Sequence, residues 1–214
     1  MGRIRLSYFD FDGGGGETAR LALSIGGIAF EDDRIGFEDW PRRKAEMPFG
    51  AVPVLEVDGR QVAQSNGINR FVGKLAGLYP DDPWQAAVCD EVMDAVNDIG
   101  GKVFATFELS DAEKKAQREA LVAGALPLFL NGLRRRLEEQ GGRYFADGRL
   151  TVADLKIYIW IRHLRSGALD HIPVDLVERI APELAAHARR IEAEPGVTAY
   201  YAARRAAAPA EATA

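Results

Sequence analysis

Met47-Pro-Phe-Gly-Ala-Val-Pro-Val-Leu-Glu-Val-Asp-Gly-Arg-Gln-Val-Ala-Gln-Ser65 is the stretch whose reading decides the fold. Val54 to Val57 and Gln61 to Ala63 are short β-type runs. Asp58-Gly59 between them is a strong two-residue hairpin signal, because glycine takes φ > 0 without steric cost. Two antiparallel strands therefore meet here. Val52-Pro53 stands just upstream, and an X-Pro bond needs only about 0.5–1 kcal/mol to be cis. A proline entering a strand in this way turns the chain and leaves the N–H and C=O of Val52 free to pair with a short extended peptide. Downstream, Gln64-Ser65 precedes the periodic run Ile68, Phe71, Val72, Leu75, which puts Ser65 at or next to a helix N-cap. A helix N-terminus with a hydroxyl beside it suits a carboxylate. Each part also has a plain structural use: Asp-Gly as a turn, Pro53 as a trans proline, Ser65 as a cap.

Upstream, Ile4, Leu6 and Tyr8 alternate with Arg5 and Ser7 as a half-buried strand. Ala19 to Ile25 reads as a helix and Phe30 to Ile35 as a second strand. Strand, helix, strand, hairpin and helix make a thioredoxin-like plan. Tyr79-Pro-Asp-Asp-Pro83 then reads as a linker, since its prolines and turn-forming acids interrupt regular structure. Beyond it the pattern is helical. Trp84 to Phe107 is apolar at Val88, Val92, Ala95 and Ile99, with Gly100-Gly101 expected to bend or loosen it. Ala112 to Gln140 reads as one long helix kinked at Pro127. Thr151 to Arg165 opens with the capping box Thr151-Val-Ala-Asp154, a hydrophobic staple at Leu150 and Leu155, and is apolar nearly all round, hence central and buried. Pro182 to Glu194 and Val197 to Arg205 supply the last helices. The expected organisation is an α/β thioredoxin-like domain over 1–79, an all-α domain over 84–205 and a fraying, Ala-rich tail over 206–214.

A chain of 214 residues can bury a proper core, and 47% apolar with 28% charged residues places it among globular proteins. A net charge of −5 argues against sequence-independent binding to nucleic acid or to an anionic membrane, both of which need a basic face. No apolar run reaches about 18 residues and no charged-then-apolar leader opens the chain. A single cysteine, Cys89, excludes an internal disulfide and a cysteine zinc cluster. The expected location is the cytoplasm.

Tyr8 near the start, Trp40 with Lys44, Phe49-Gly50-x-Val52-Pro53-Val54-Leu55, and Gln64-Ser65 before a helix together resemble the glutathione-binding half of cytosolic glutathione transferases. The string from Pro48 to Gly59 and the Tyr8-Phe9 pair are most similar to the sigma, or prostaglandin-synthase-like, class. The capped helix at Thr151 resembles the buried helix of that family's helical domain, so the resemblance spans nearly the whole chain. It implies that Trp40 and Lys44 meet the glycyl end of glutathione, that Val52 pairs with the cysteinyl backbone beside Pro53, and that Gln64 and Ser65 hold the γ-glutamyl carboxylate. It also implies a homodimer in which Asp98 from the partner subunit reaches the γ-glutamyl amine. Asp90, Asp94 and Asp98 share one helix face, and the first two read as a solvated stripe. Some relatives hold a divalent ion between such acids; Asn97 stands where the second carboxylate would be, so no metal is expected.

Glutathione is then the co-substrate. A cysteine thiol titrates near 8.5, so making it thiolate at pH 7 requires about 2.7 kcal/mol of preferential anion stabilisation. A hydrogen bond to a charged acceptor supplies about 1.5–3 kcal/mol. Tyr8, at the end of the first strand and beside a helix N-terminus, is the candidate donor and stays protonated. Its plain alternative is an aromatic in the core. One departure stands out: where the sigma-like pattern places basic residues after the tyrosine, this chain has Asp10-Phe-Asp12-Gly-Gly-Gly-Gly16, a loop expected to be mobile and open to close backbone approach or to an N–H nest. No Gly-Lys-Ser/Thr follows, so a phosphate loop is not indicated. His163, His171 and His187 show no ligand spacing, and Arg134-Arg135-Arg136 reads as a solvated face. The reading is a transferase acting on a small apolar electrophile in a pocket built from Phe104, Phe107 and Tyr158. The alternative is a non-catalytic carrier of glutathione or an apolar ligand on the same fold.

Overall fold

The computed structural model describes residues 2–207. The expected 206–214 tail lies outside them except for its first two residues, which end the last helix. Strand β1 (Ile4–Phe9) leads through helix α1 (Gly14–Ile25) to β2 (Glu31–Ile35). A short α2 (Trp40–Arg43) and a 3-10 turn over Lys44–Glu46 follow. The hairpin is β3 (Val54–Val57) and β4 (Arg60–Ala63), and α3 (Ser65–Leu75) closes this half.

The four strands are ordered β2-β1-β3-β4, with β1 parallel to β2 and antiparallel to β3. Asp58 and Gly59 both take positive φ, 50° and 78°, as a tight hairpin turn requires. Asp58 is locked there because its carboxylate accepts the Arg3 N–H at 3.0 Å. The Val52-Pro53 bond is cis.

The helical half contains α4 (Pro83–Phe104), α5 (Asp111–Ala123), α6 (Ala125–Glu139), α7 (Val152–Leu164), α8 (Leu176–Ile180), α9 (Pro182–Glu192) and α10 (Pro195–Ala207). This is a thioredoxin-like unit followed by an all-helical one. Three expectations change. Gly100-Gly101 does not break α4, which runs through both; Gly100 is buried where α4 packs on α7, so tertiary packing overrides its low helix propensity. The expected single helix over Ala112–Gln140 is two, and the break is at Gly124 (φ −131°, ψ −83°) rather than a kink at Pro127. Pro127 falls in the first turn of α6, where a missing N–H leaves no bond unmade. Asp90 and Asp94 are not a merely solvated stripe: Asp90 pairs with Arg70 at 2.7 Å and Asp94 accepts from Asn66, which ties α3 to α4.

Helix α7 is the axle, buried along nearly its whole length and packed on α1, α4 and α9. Its capping box forms as the sequence implies: Asp154 accepts the Thr151 N–H and hydroxyl, both at 2.8 Å. The other Asp154 oxygen accepts the Phe145 N–H at 2.9 Å and faces His187 Nε2 at 2.9 Å. One buried carboxylate thus fixes a helix start, a loop and α9, while Val152 N–H donates to Leu78 O at 2.9 Å and joins α7 to the end of the first half. Among the described residues no helix is long and apolar enough to cross a membrane.

Candidate functional site

A cavity of about 930 Å³ opens where the sheet half meets α4 and α7. Tyr8, Val52, Pro53, Gln64 and Ser65, far apart in the chain, all line it. Trp40 and Lys44 do not: Trp40 is half-buried against Ile35, Met47 and Val54 with its ring edge-on to Phe9, and the Lys44 stem lies beside Gly50. Asp98 is exposed on α4 and is not part of this chain's own cavity wall.

Tyr8 is 8% exposed. Its phenol oxygen accepts the Gly15 N–H at 2.8 Å, at the start of α1. Burial raises its ionisation above the usual phenol range, opposed by the Gly15 N–H and the Arg20 charge and assisted by Glu17. The phenol is therefore a protonated donor whose oxygen lone pair is already engaged. The glycines that follow are fitted to this ring rather than forming a loose loop. A Cβ at Gly14 would lie 2.2 Å from the Tyr8 oxygen, and one at Gly16 would lie 2.5 Å from its Cγ. Gly14 also takes φ +63°, which other residues resist.

Two arginines missed by the sequence reading converge on this corner. Arg20 is wholly buried, with its guanidinium 5.6 Å from the Tyr8 ring centre. It donates to the Phe9 and Phe11 carbonyls at 3.1 and 3.0 Å and pairs with Asp32 at 2.8 Å, so it pins the turn leaving β1. Its place on the inner face of α1 was the available signal. Arg162 arrives from α7, donates to the Asp12 carbonyl, lies 4.8 Å over the Tyr201 ring and lines the cavity. The cation absent after Tyr8 in the sequence is present in space.

At the opposite wall Gln64 holds φ 71°, ψ 114°, strained for a non-glycine and fixed between β4 and α3. The first α3 bond runs from Ile68 N–H to Gln64 O at 3.0 Å. The Ser65, Asn66 and Gly67 amides therefore have no helical acceptor, which makes this end of the cavity suited to an anion. Among the described residues no hydrogen bond engages the Val52 N–H or C=O, so the residue before Pro53 presents a free backbone edge.

The remaining wall is apolar. Phe11, Phe37, Phe104, Phe107 and Trp160 line it. Tyr158 does not, contrary to expectation: it is buried, with the Arg162 guanidinium 5.5 Å over its ring. Residues 156, 159, 160 and 163 fall on one face of α7 and 158 on another; Arg162 shares the face of Tyr158 and lines the cavity because its guanidinium extends over the Tyr158 ring toward Asp12. His163 lines the cavity too, and burial lowers its pKa, so it is neutral at pH 7. Lys156 lies at the Ser65 end, donating to Asn97 Oδ1 at 2.7 Å and to Asn66 Oδ1.

The model of the glutathione S-transferase C-terminal domain matches residues 97–204. Glutathione S-transferase 1 of Ascaris suum is 39% identical over 163 residues, 73% of this chain and 78% of that protein. Among solved structures, prostaglandin synthase D of Nilaparvata lugens superposes with a TM-score of 0.84 at 33% identity, covering 94% of this chain and 98% of its own. The sigma class GST of Fasciola hepatica superposes with a TM-score of 0.82 at 25% identity, covering 98% and 99%.

Proposed function

The chain belongs to the glutathione S-transferase family and is most like its sigma class, and on that premise we propose that Tyr8 donates a hydrogen bond to the glutathione sulfur and holds it as thiolate for attack on a small apolar electrophile. The observation that carries this reading is the 2.8 Å bond from Gly15 N–H to the Tyr8 oxygen. With an amide donating into it, the phenol directs its own proton elsewhere, and the cavity is where an acceptor can stand. Arg162, which lines the cavity, adds positive potential at the same corner, which favours the anion, whereas the buried Arg20 is compensated by Asp32 and Glu17.

Glutathione lies with its cysteinyl backbone against Val52 beside Pro53, its γ-glutamyl carboxylate at Gln64 and Ser65, and its glycyl end toward Trp40 and Lys44 at the rim. Asp98 of a partner subunit meets the γ-glutamyl amine in a homodimer, a role that suits an acid facing away from its own cavity. The thiolate forms a bond to the electrophilic atom, and the leaving group departs with its electron pair or, on addition, the displaced pair takes a proton from solvent. Tyr8 keeps its proton throughout. The aromatic wall fits a flat or unsaturated apolar substrate.

Tyr8→Phe tests this. It should leave glutathione affinity within about threefold while raising the pKa of the bound thiol by about 1–2 units, the worth of a hydrogen bond to a charged acceptor. Ultraviolet difference titration of the thiolate reads the shift. A carrier on the same fold predicts instead that glutathione bound to the unaltered protein titrates as it does free in solution.

A further inference from the structure

Lys156 is 7% exposed, yet no carboxylate stands within 4 Å of its ammonium among the described residues. Its three N–H groups face carbonyl and hydroxyl oxygens only: Asn97 Oδ1 at 2.7 Å, Asn66 Oδ1, and Ser65 Oγ at a loose 3.4 Å. A buried cation without a counterion is costly and calls for an anionic partner. The third N–H, the poorly satisfied one, is directed at the residue that opens α3, beside amides with no acceptor. Lys156 also lines the cavity.

We propose that Lys156 is a glutathione-binding residue, its ammonium joining Ser65 to hold the γ-glutamyl α-carboxylate and making glutathione affinity depend on pH near neutrality. This rests on the glutathione site proposed above.

The surroundings set the direction of the dependence. Burial lowers the Lys156 pKa to about 7, with Asp94 opposing and Arg70 assisting. From α4 the facing acids are Asp94, which holds Asn66, and Asp90, which is paired with Arg70 of α3; Asp98 lies further along that helix. From α9 His187 is committed to Asp154, from α8 Glu178 to Arg165, and from α1 Glu17 to Arg20. Lys156 is thus part neutral at pH 7.5 when the site is empty. An arriving carboxylate favours the ammonium, so binding takes up a proton and weakens as pH rises past 7.

Calorimetry with S-methylglutathione tests this, since its blocked thiol cannot titrate. At pH 7.5, runs in buffers of differing ionisation enthalpy should show net proton uptake by the unaltered protein. Lys156→Met should lose that uptake and bind about ten- to a hundredfold more weakly at pH 6.5, the loss shrinking by pH 8.5. Lys156→Gln, which retains a donor for the two asparagines, should show the same loss if Lys156→Met does not fold. A γ-glutamyl analogue lacking the α-carboxylate should bind the unaltered and variant proteins alike. Equal affinity of the unaltered and Lys156→Gln proteins for S-methylglutathione, or an equal loss with the analogue, overturns the role of Lys156 and leaves the site standing. If the unaltered protein binds no S-methylglutathione at all, the inference and the site fall together.

Discussion

Gly16 lies so close under Tyr8 that a Cβ on it would stand 2.5 Å from the ring's Cγ. The start of α1 can therefore reach the phenol with a backbone N–H only because the residues there carry no side chain. The glycine run positions the donor it was expected to leave loose.

Gly16→Ala should push the Tyr8 ring out of register with Gly15. Overpacking of this kind costs about 1–3 kcal/mol of stability, and turnover should fall about tenfold or more while glutathione affinity changes little. Gly132→Ala, in α6 with nothing within 4 Å of the added methyl, should instead stabilise by about 0.5–1 kcal/mol. Thermal melts and steady-state kinetics of the two variants check the contrast; equal melting points would show that the ring is not held by the glycine contact.

Arg162 reaches the Asp12 carbonyl from α7. Arg162→Met should raise the bound thiol pKa by roughly half to one unit, the effect of removing one partly screened charge at several ångströms. Arg162→Lys should recover part of it, since the charge remains while the guanidinium over the Tyr158 and Tyr201 rings is lost. Thiolate absorbance against pH reads both, and an unchanged titration in Arg162→Met would remove the cation from thiol activation.

Cys89 is buried in α4, and burial raises its thiol pKa to about 12. At pH 8 only about one molecule in ten thousand would carry the thiolate. The native protein should resist alkylation by iodoacetamide for hours and take up one equivalent once unfolded in guanidinium. Rapid native labelling at pH 8 would contradict the packing around α4.

The hairpin at Asp58-Gly59, the turn at Pro53 and the cap at Thr151 were legible because each is written in residues at fixed short spacing. The corner around Tyr8 was not. Arg162 meets Asp12 across 150 positions, and Arg20 reads as one more helical residue until the helix is laid on the sheet. The wall of the cavity failed for a different reason. A helix apolar all round, like α7, carries no amphipathic phase in its sequence, so Tyr158 and Trp160 could not be told apart as inward or outward. Lys156 was hidden by the same helix: a lysine amid apolar residues looks like a solvated break in a buried face, and only the convergence of Asn66 and Asn97 shows that it is held inside.

That lysine also leaves a mark on stability. Its pKa is about 7 in the folded chain against about 10.4 unfolded. Between those values the unfolded chain binds more protons, so stability rises with pH; below 7 both states are charged and the contribution is flat. The burial penalty is thus fully present at pH 6.5 and is relieved as pH climbs through the folded pKa. Cys89 acts in the opposite sense above about 8.5, where the unfolded thiol ionises and the folded one does not, so the comparison belongs between pH 6.5 and 8.5. The difference in unfolding free energy between the unaltered protein and Lys156→Met should grow in favour of the unaltered protein by at most about 1.4 kcal/mol per pH unit in that window. Denaturant unfolding without ligand at pH 6.5, 7.5 and 8.5 measures it, and a difference independent of pH would place the ammonium in water rather than inside the cavity wall.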